Sequence, residues 1–242
     1  MQKFVAVLTS LVALAACSKH DPILPGVRSA IFATDAPMVL NQNISDLPDA
    51  PMAHDAVACP YTQDATNTIK CGDRKIFSGF PVTNSVRSMQ RPVCSGKYVY
   101  AGLTTGELIK IDTNTRQVAW VADIFRPSNM TGGASVVDIV APIVVAGADV
   151  YAGGLGDAFC RINAASGTKK WCANIGTAYS FVMTAPAIFV VGTDNNLYAL
   201  RNSDGAIYWR TKIEKQSNPA YDNKIITIGR QKIDAETGKI IR

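Results

Sequence analysis

The residues able to do chemistry in this chain are few and unevenly placed. It has six cysteines and two histidines, and His20 and His54 both precede residue 75. The stretch 75–242 therefore offers no imidazole as a base or metal ligand, and it contains just three glutamates, Glu107, Glu214 and Glu236. Its aspartates Asp112 and Asp234 recur at one offset of a repeated motif, immediately before a turn, and Asn163 holds the same place in another copy. An amide accepts hydrogen bonds but cannot take a proton, so this position reads as a turn cap and not as a general base. No Ser-His-Asp, Cys-His, phosphate-loop or metal-ligand spacing occurs. Catalysis is not expected, nor is a cofactor or a metal.

The cysteines divide into two kinds. Cys59, Cys71, Cys94, Cys160 and Cys172 lie in the body of the chain. In an oxidising compartment Cys59 with Cys71 and Cys160 with Cys172 would each close a short loop, leaving Cys94 single. The alternative is a set of buried thiols acting as small apolar residues. Cys17 is different, because Lys3 and the apolar run Phe4 to Ala16 come just before it. That run is too short to span a bilayer and reads as a signal peptide over 1–16. Leu14-Ala15-Ala16-Cys17 is similar to the lipobox of bacterial lipoproteins, which implies cleavage before Cys17 and its lipidation. Two or more acyl chains give stable anchoring. Ser18, where an inner-membrane retention signal would resemble Asp, points to the outer membrane, with the chain facing the periplasm.

Without its leader the chain carries 23 basic and 19 acidic residues, a mild excess with no basic cluster, so no nucleic-acid partner is expected. Six of the twelve prolines fall between Pro22 and Pro60, in a stretch with no sustained periodicity. Residues 17–74 are thus expected to be a lipidated, extended tether.

From Lys75 onward, short runs of Val, Ile, Tyr and Ala are separated by Gly, Asn, Asp and Thr, the texture of an all-β domain over 75–242. Four segments align without gaps: Ile111 to Trp120, Ile162 to Trp171, Leu200 to Trp209 and Ile233 to Arg242. Trp120, Trp171 and Trp209, the three tryptophans of the protein, share one slot. Upstream, VYAG from Val99, VYAG from Val150, FVVG from Phe189 and ITIG from Ile226 repeat as well. Each unit reads as strand, turn, strand, turn and a further strand carrying the tryptophan, with Gly167, Gly205 and Gly238 closing the second turn where Arg116 stands in the first copy. Such sheets bury their faces by stacking, so the indoles are expected to fill the gaps between neighbours. The fold expected is a β-propeller-like array of about four four-stranded blades, an incomplete or open ring. The interval of 51 residues between the first two copies marks Phe125 to Ser135 as an inserted loop.

These units resemble the repeats of the pyrroloquinoline-quinone-type propellers, whose pattern is roughly VYVGT, a glycine turn, LYALDA and TGKxxW; Val190 to Leu200 carries the likeness best. With the lipobox, the proline-rich tether and Leu24-Pro25-Gly26-Val27-Arg28, the chain resembles the BamB family of outer-membrane assembly lipoproteins in a shortened form. That family's eight-bladed ring exceeds what 75–242 can hold. The resemblance implies a scaffold that binds the periplasmic domains of the barrel-assembly protein and nascent outer-membrane proteins. The family's contact loop resembles LRGxSxP, and Ser180 to Pro186 stands in its place with the Thr-Ala-Pro end kept and the arginine absent. This implies partner contact through Phe181, Met183, Thr184 and Pro186. Two other readings are a lipoprotein of another envelope or secretion complex and a fragment of a quinone-dependent dehydrogenase. The last needs adjacent cysteines, which this chain lacks.

Overall fold

The computed structural model describes residues 39–54, 59–80, 91–125 and 136–241. Among the described residues, short β-branched and aromatic runs, punctuated by turn residues, form five antiparallel sheets of strands consecutive in sequence. The first holds β1 (Tyr61–Gln63), β2 (Thr68–Cys71) and β3 (Arg74–Ser78). The second holds β4 (Val93–Ser95), β5 (Tyr98–Gly102), β6 (Glu107–Asp112) and β7 (Gln117–Asp123). The third comprises β8 (Val144–Ala146), β9 (Asp149–Gly153), β10 (Phe159–Asn163) and β11 (Lys169–Ala173). In the fourth are β12 (Val182–Met183), β13 (Ala187–Val191), β14 (Asn196–Arg201) and β15 (Ile207–Lys212), and in the fifth β16 (Ala220–Asp222), β17 (Ile225–Ile228), β18 (Gln231–Asp234) and β19 (Ile240–Ile241). Four of the five sheets are four-stranded, the all-β blade array expected from the repeats.

The three-stranded sheet corrects the expected domain boundary at residue 75. It is a further copy of the same unit, as its register shows: a bulge falls between Ile69 and Lys70, as it does between Lys110 and Ile111, Arg161 and Ile162, and Ala199 and Leu200. Ile69 pairs with Phe77 as Lys110 pairs with Trp120, so Phe77 fills the tryptophan slot of this first blade. Register also corrects the third repeat. Ile188, opposite Leu200, corresponds to Val99 opposite Ile111, so Val191 occupies the glycine slot and Gly192 lies one residue later.

Alternation along each strand gives every inner sheet two apolar faces. Tyr100, Leu108, Trp120 and Ala122 of the second blade pack on Val150, Ala152, Cys160 and Ile162 of the third. Tyr151, Phe159 and Trp171 then meet Ile188, Val190 and Leu200, while Phe189, Leu197 and Trp209 meet Ile226, Ile228 and Ile233. At the last blade the slot of Tyr100 and Tyr151 is taken by Thr227, with exposed Lys232 opposite it, so that outer face is polar.

Part of the expected tether is also built into the array. Val39 bridges to Ile207 in parallel, and the Leu40 and Gln42 amides donate to the carbonyls of Ile207 and Tyr208 (2.7 and 3.1 Å). Ile44 and Leu47, 2 % and 4 % exposed, enter the core between the fourth and fifth blades. Tyr221 Oη donates to the Pro48 carbonyl (2.5 Å), and the Met52 amide donates to the carbonyl of Met183 (2.7 Å). Residues 39–52 thus form a strap across the last two blades.

Candidate functional site

The recurring constellation of this fold lies where one blade meets the next. Each tryptophan stands on the outermost strand of its blade and donates its indole Nε1 hydrogen to a turn carbonyl of the following blade: Trp120 to Ala164 (3.1 Å), Trp171 to Asn202 (3.0 Å) and Trp209 to Ala235 (3.2 Å). The ring then lies across the glycine that closes that turn. A methyl group at Gly167, Gly205 or Gly238 would sit 2.6–2.7 Å from the indole, and each of these glycines has a positive φ. Both demands, left-handed backbone and no Cβ, select glycine. Arg116 closes the second blade's turn at φ 59°. The blade before it presents Phe77 in place of an indole, so the turn keeps its left-handed backbone with a side chain on it.

The same carbonyls receive a second donor from the strand beside the tryptophan. Lys110 Nζ reaches Ala164 O at 2.6 Å, and Arg161 Nη1 reaches Asn202 O at 2.8 Å. Burial pushes the Lys110 ammonium below its ordinary range, and it lies 3.7 Å above the centre of the Tyr98 ring. Arg161 also holds Asp149 through Nε (2.9 Å) and Nη2 (2.5 Å), and Lys170 approaches the other carboxylate oxygen at 2.6 Å. Burial works against the charge on Asp149, but Lys170 and Arg161 outweigh it and hold its carboxyl below the usual range. In the fourth blade Tyr198 donates to Asp194 Oδ2 (2.5 Å), and burial together with that carboxylate pushes the phenol up to about 12.

The carboxylates singled out in the sequence are caps. Asp112 Oδ1 accepts from the Asn114 amide (2.9 Å), Asn163 Oδ1 from the Ala165 amide (2.9 Å) and Asp234 Oδ1 from the Thr237 amide (2.7 Å). The Lys97 side chain bonded to Asp112 lowers its pKa. Among the described residues no group of three His, Cys, Asp or Glu could hold a metal ion. The carboxylates thus cap turns, while the indole, Lys110 and Arg161 donors join one sheet to the next.

Two expectations from the sequence are corrected by the packing. Phe181 and Met183 are not exposed anchors: they are 8 % and 6 % exposed, in the core between the third and fourth blades, with Phe181 edge-on to Phe159 at 4.8 Å. Sheet stacking buries them because β12 is short and the residue before it turns inward. Thr184 is buried too, in the β12–β13 turn, where its amide and hydroxyl donate to Ala187 O (2.7 and 2.8 Å). Exposed Ala185 and half-buried Pro186 remain at the surface. Second, Cys59 bonds Cys94 and Cys71 is a free thiol, whereas Cys160 bonds its cross-strand neighbour Cys172. Cys71 sits opposite Tyr61 within the first sheet, and Cys59, two residues earlier, meets β4 of the second. Cys17, the leader and residues 126–135 of the inserted loop lie outside the described residues. The strap and the first blade were missed in the sequence; the two-residue Gly72-Asp73 hairpin between Thr68–Cys71 and Arg74–Ser78 is the signal that could have found the latter.

Comparison with known proteins fits this architecture. The family model described as "Outer membrane protein assembly factor BamB" matches residues 78–211. Curated proteins of that name are 24 % identical over 126 residues in Alkalilimnicola ehrlichii and 26 % identical over 126 residues in Yersinia pestis. These matches cover 52 % and 51 % of this chain but 33 % and 32 % of the relatives, so about a third of each relative's length is spanned. Among solved structures, BamB from Moraxella catarrhalis superposes with a TM-score of 0.53 at 16 % identity, over 82 % of this chain and 64 % of that one. A quinohemoprotein alcohol dehydrogenase from Pseudomonas putida HK5 gives 0.54 at 14 % identity, over 85 % and 45 %. At these identities the two structures share the fold with this chain and nothing more is carried over.

Proposed function

We propose, from the premise that this chain belongs to the BamB family of outer membrane protein assembly factors, that it is a non-enzymatic scaffold aiding the insertion of β-barrel proteins into the outer membrane. It would be exported under residues 1–16, lipidated at Cys17 and held on the periplasmic face of that membrane. Its partners would be the periplasmic domains of the barrel-assembly protein and nascent outer-membrane proteins. The observation that carries the reading is the family match over 78–211, a span covering the second to fourth blades whose charged and aromatic groups bind one blade to the next. Lys110 and Arg161 donate to turn carbonyls in those joints, Asp149 is held by Arg161 and Lys170 within its own blade, and Asp112 and Asp234 cap turns, which supports a structural and not a catalytic use of the fold. Partner contact would then fall on exposed turns, including Ala185-Pro186 with Thr184 holding the turn from beneath, and on the outer sheet edges.

The test is affinity recovery from solubilised envelopes of cells making a tagged full-length chain. Co-purification of the barrel-assembly protein is expected. Recovery of a secretion complex in its place would move the chain to the other envelope-machine reading. Saturable binding of pyrroloquinoline quinone with calcium, accompanied by dye-linked alcohol oxidation, would overturn the non-enzymatic reading.

A further inference from the structure

The outermost strands of the blades occupy equivalent positions, and their exposed slots can be compared one by one. The slot opposite Ile111 in the second blade is Val118; its counterparts are Lys75, Lys169, Ile207 and, in the two-residue last strand of the fifth blade, exposed Ile240. The slot opposite Ile109 is Val121, with counterparts Ser78, Cys172 and Arg210. Lysine and arginine at an edge discourage further strand pairing, and the first, third and fourth blades carry such residues there. The fourth blade also has an apolar slot, Ile207; its side chain is buried in the core between the third and fourth blades, and Val39 and Leu40 of the same chain pair with its backbone along the edge. β7 has apolar residues in both slots, and Val118 and Val121 are 40 % and 51 % exposed. The bulge at Lys110/Ile111 brings these two valines to one face of the strand, the face of Ile109 and Ile111. β7 is thus an exposed edge with an apolar residue in both slots and a charged residue in neither.

We propose that this edge pairs with β7 of a second copy of the chain. The strand is self-complementary in the antiparallel sense. Strand β7 set antiparallel to itself places Val118 of one copy against Val121 of the other, twice by symmetry, and brings the side chain of Arg116, the turn residue just before the strand, toward Asp123 at both ends. Arg116 and Asp123 are both exposed, and among the described residues neither enters an ion pair within the chain. Trp120 and Ala122 face inward to the third blade and stay there, so pairing costs the blade none of its own packing. One strand edge buries less than the ~1,000 Å² of a stable interface, so the dimer is weak and salt-sensitive. The pairing does not rest on the barrel-assembly reading, though it occupies one of the outer edges proposed above for partner contact.

Sedimentation of the purified full-length chain in mild detergent, over a range of concentrations, tests it. A reversible monomer–dimer equilibrium is expected at tens of micromolar. Arg116→Asp, a substitution whose side chain tolerates a left-handed backbone, places like charges together at both ends and should weaken the dimer roughly tenfold. The double exchange Arg116→Asp/Asp123→Arg should bring dimerisation back to near the wild-type constant, and Val121→Lys should abolish it with the circular dichroism spectrum unchanged. A chain that stays monomeric at several hundred micromolar overturns the proposal. So does a dimer indifferent to Arg116→Asp, or one that the double exchange fails to restore.

Discussion

The indole of Trp171 donates to the Asn202 carbonyl 3.0 Å away while its ring covers Gly205, the residue that closes the same turn. One side chain thereby fixes both the separation and the rotation of two blades. The Trp120–Gly167 and Trp209–Gly238 pairs repeat the arrangement on either side of it.

Trp171→Ala should cost roughly 3–5 kcal/mol, as for other large aromatics removed from a core. Gly205→Ala should also destabilise, by about 2 kcal/mol or more, since it meets both the left-handed backbone at φ 76° and the indole. Arg116→Gly, at a turn no indole covers, should be neutral or slightly stabilising. Urea midpoints for the three variants check this ordering. Equal losses at Gly205 and Arg116 would show that the ring contact is not what selects glycine.

Peptide mapping under non-reducing conditions, after alkylation of the folded chain, should recover Cys59 joined to Cys94, Cys160 joined to Cys172, and the label on Cys71. Cys94→Ser should lower stability by about 2–4 kcal/mol by freeing the first blade from the second. Finding Cys59 joined to Cys71 would contradict the fold of that blade.

Stability should fall at both acid and alkaline pH. The Asp149 carboxyl is held below its usual range in the folded chain, so its contribution is present above the unfolded value near 3.8 and is lost as pH falls through the lower folded value. Tyr198 is raised to about 12 from 10.0, so its contribution is complete below pH 10 and disappears as pH rises toward 12. Asp149→Asn should make the acid limb shallower, with Asp64, Asp112, Asp194 and Asp204 supplying the rest, and Tyr198→Phe should do the same to the alkaline limb, shared with Tyr100, Tyr151 and Tyr221; each is read from thermal midpoints across pH. A limb of unchanged steepness would show that the substituted group contributes nothing to it.

Cys17→Ala should leave the precursor without lipid and release the domain from the membrane in cell fractionation. Among the described residues no helix is long and apolar enough to cross a membrane. A Cys17→Ala protein that still sediments with outer membranes in high salt would contradict lipid anchoring.

Much of this architecture could be read from the chain because it repeats. The tryptophan slot, the glycine beneath the next indole and the Asp112, Asn163 and Asp234 caps are local patterns that recur at a fixed offset, so each copy reinforces the others. The first blade escaped notice because Phe77 replaces the tryptophan and a two-residue hairpin replaces the longer turn. The strap had no periodicity to detect: it docks by backbone hydrogen bonds and two isolated side chains, Ile44 and Leu47. Phe181 and Met183 were misplaced for a related reason. An apolar pair on a short strand looks the same in sequence whether it faces solvent or a neighbouring sheet, and only the stacking of the third blade on the fourth decides it.

Scaffolding of barrel assembly is tested most directly by reconstitution. The barrel-assembly protein in proteoliposomes is given an unfolded β-barrel substrate, and the rate of insertion is followed by its heat-modifiable mobility, with and without the lipidated chain. Insertion several-fold faster in the presence of the chain, with that gain reduced when Pro186 or the adjoining Ala185 is replaced by a charged residue, is the result expected. An insertion rate unchanged at saturating amounts of correctly folded, lipidated chain would contradict the role.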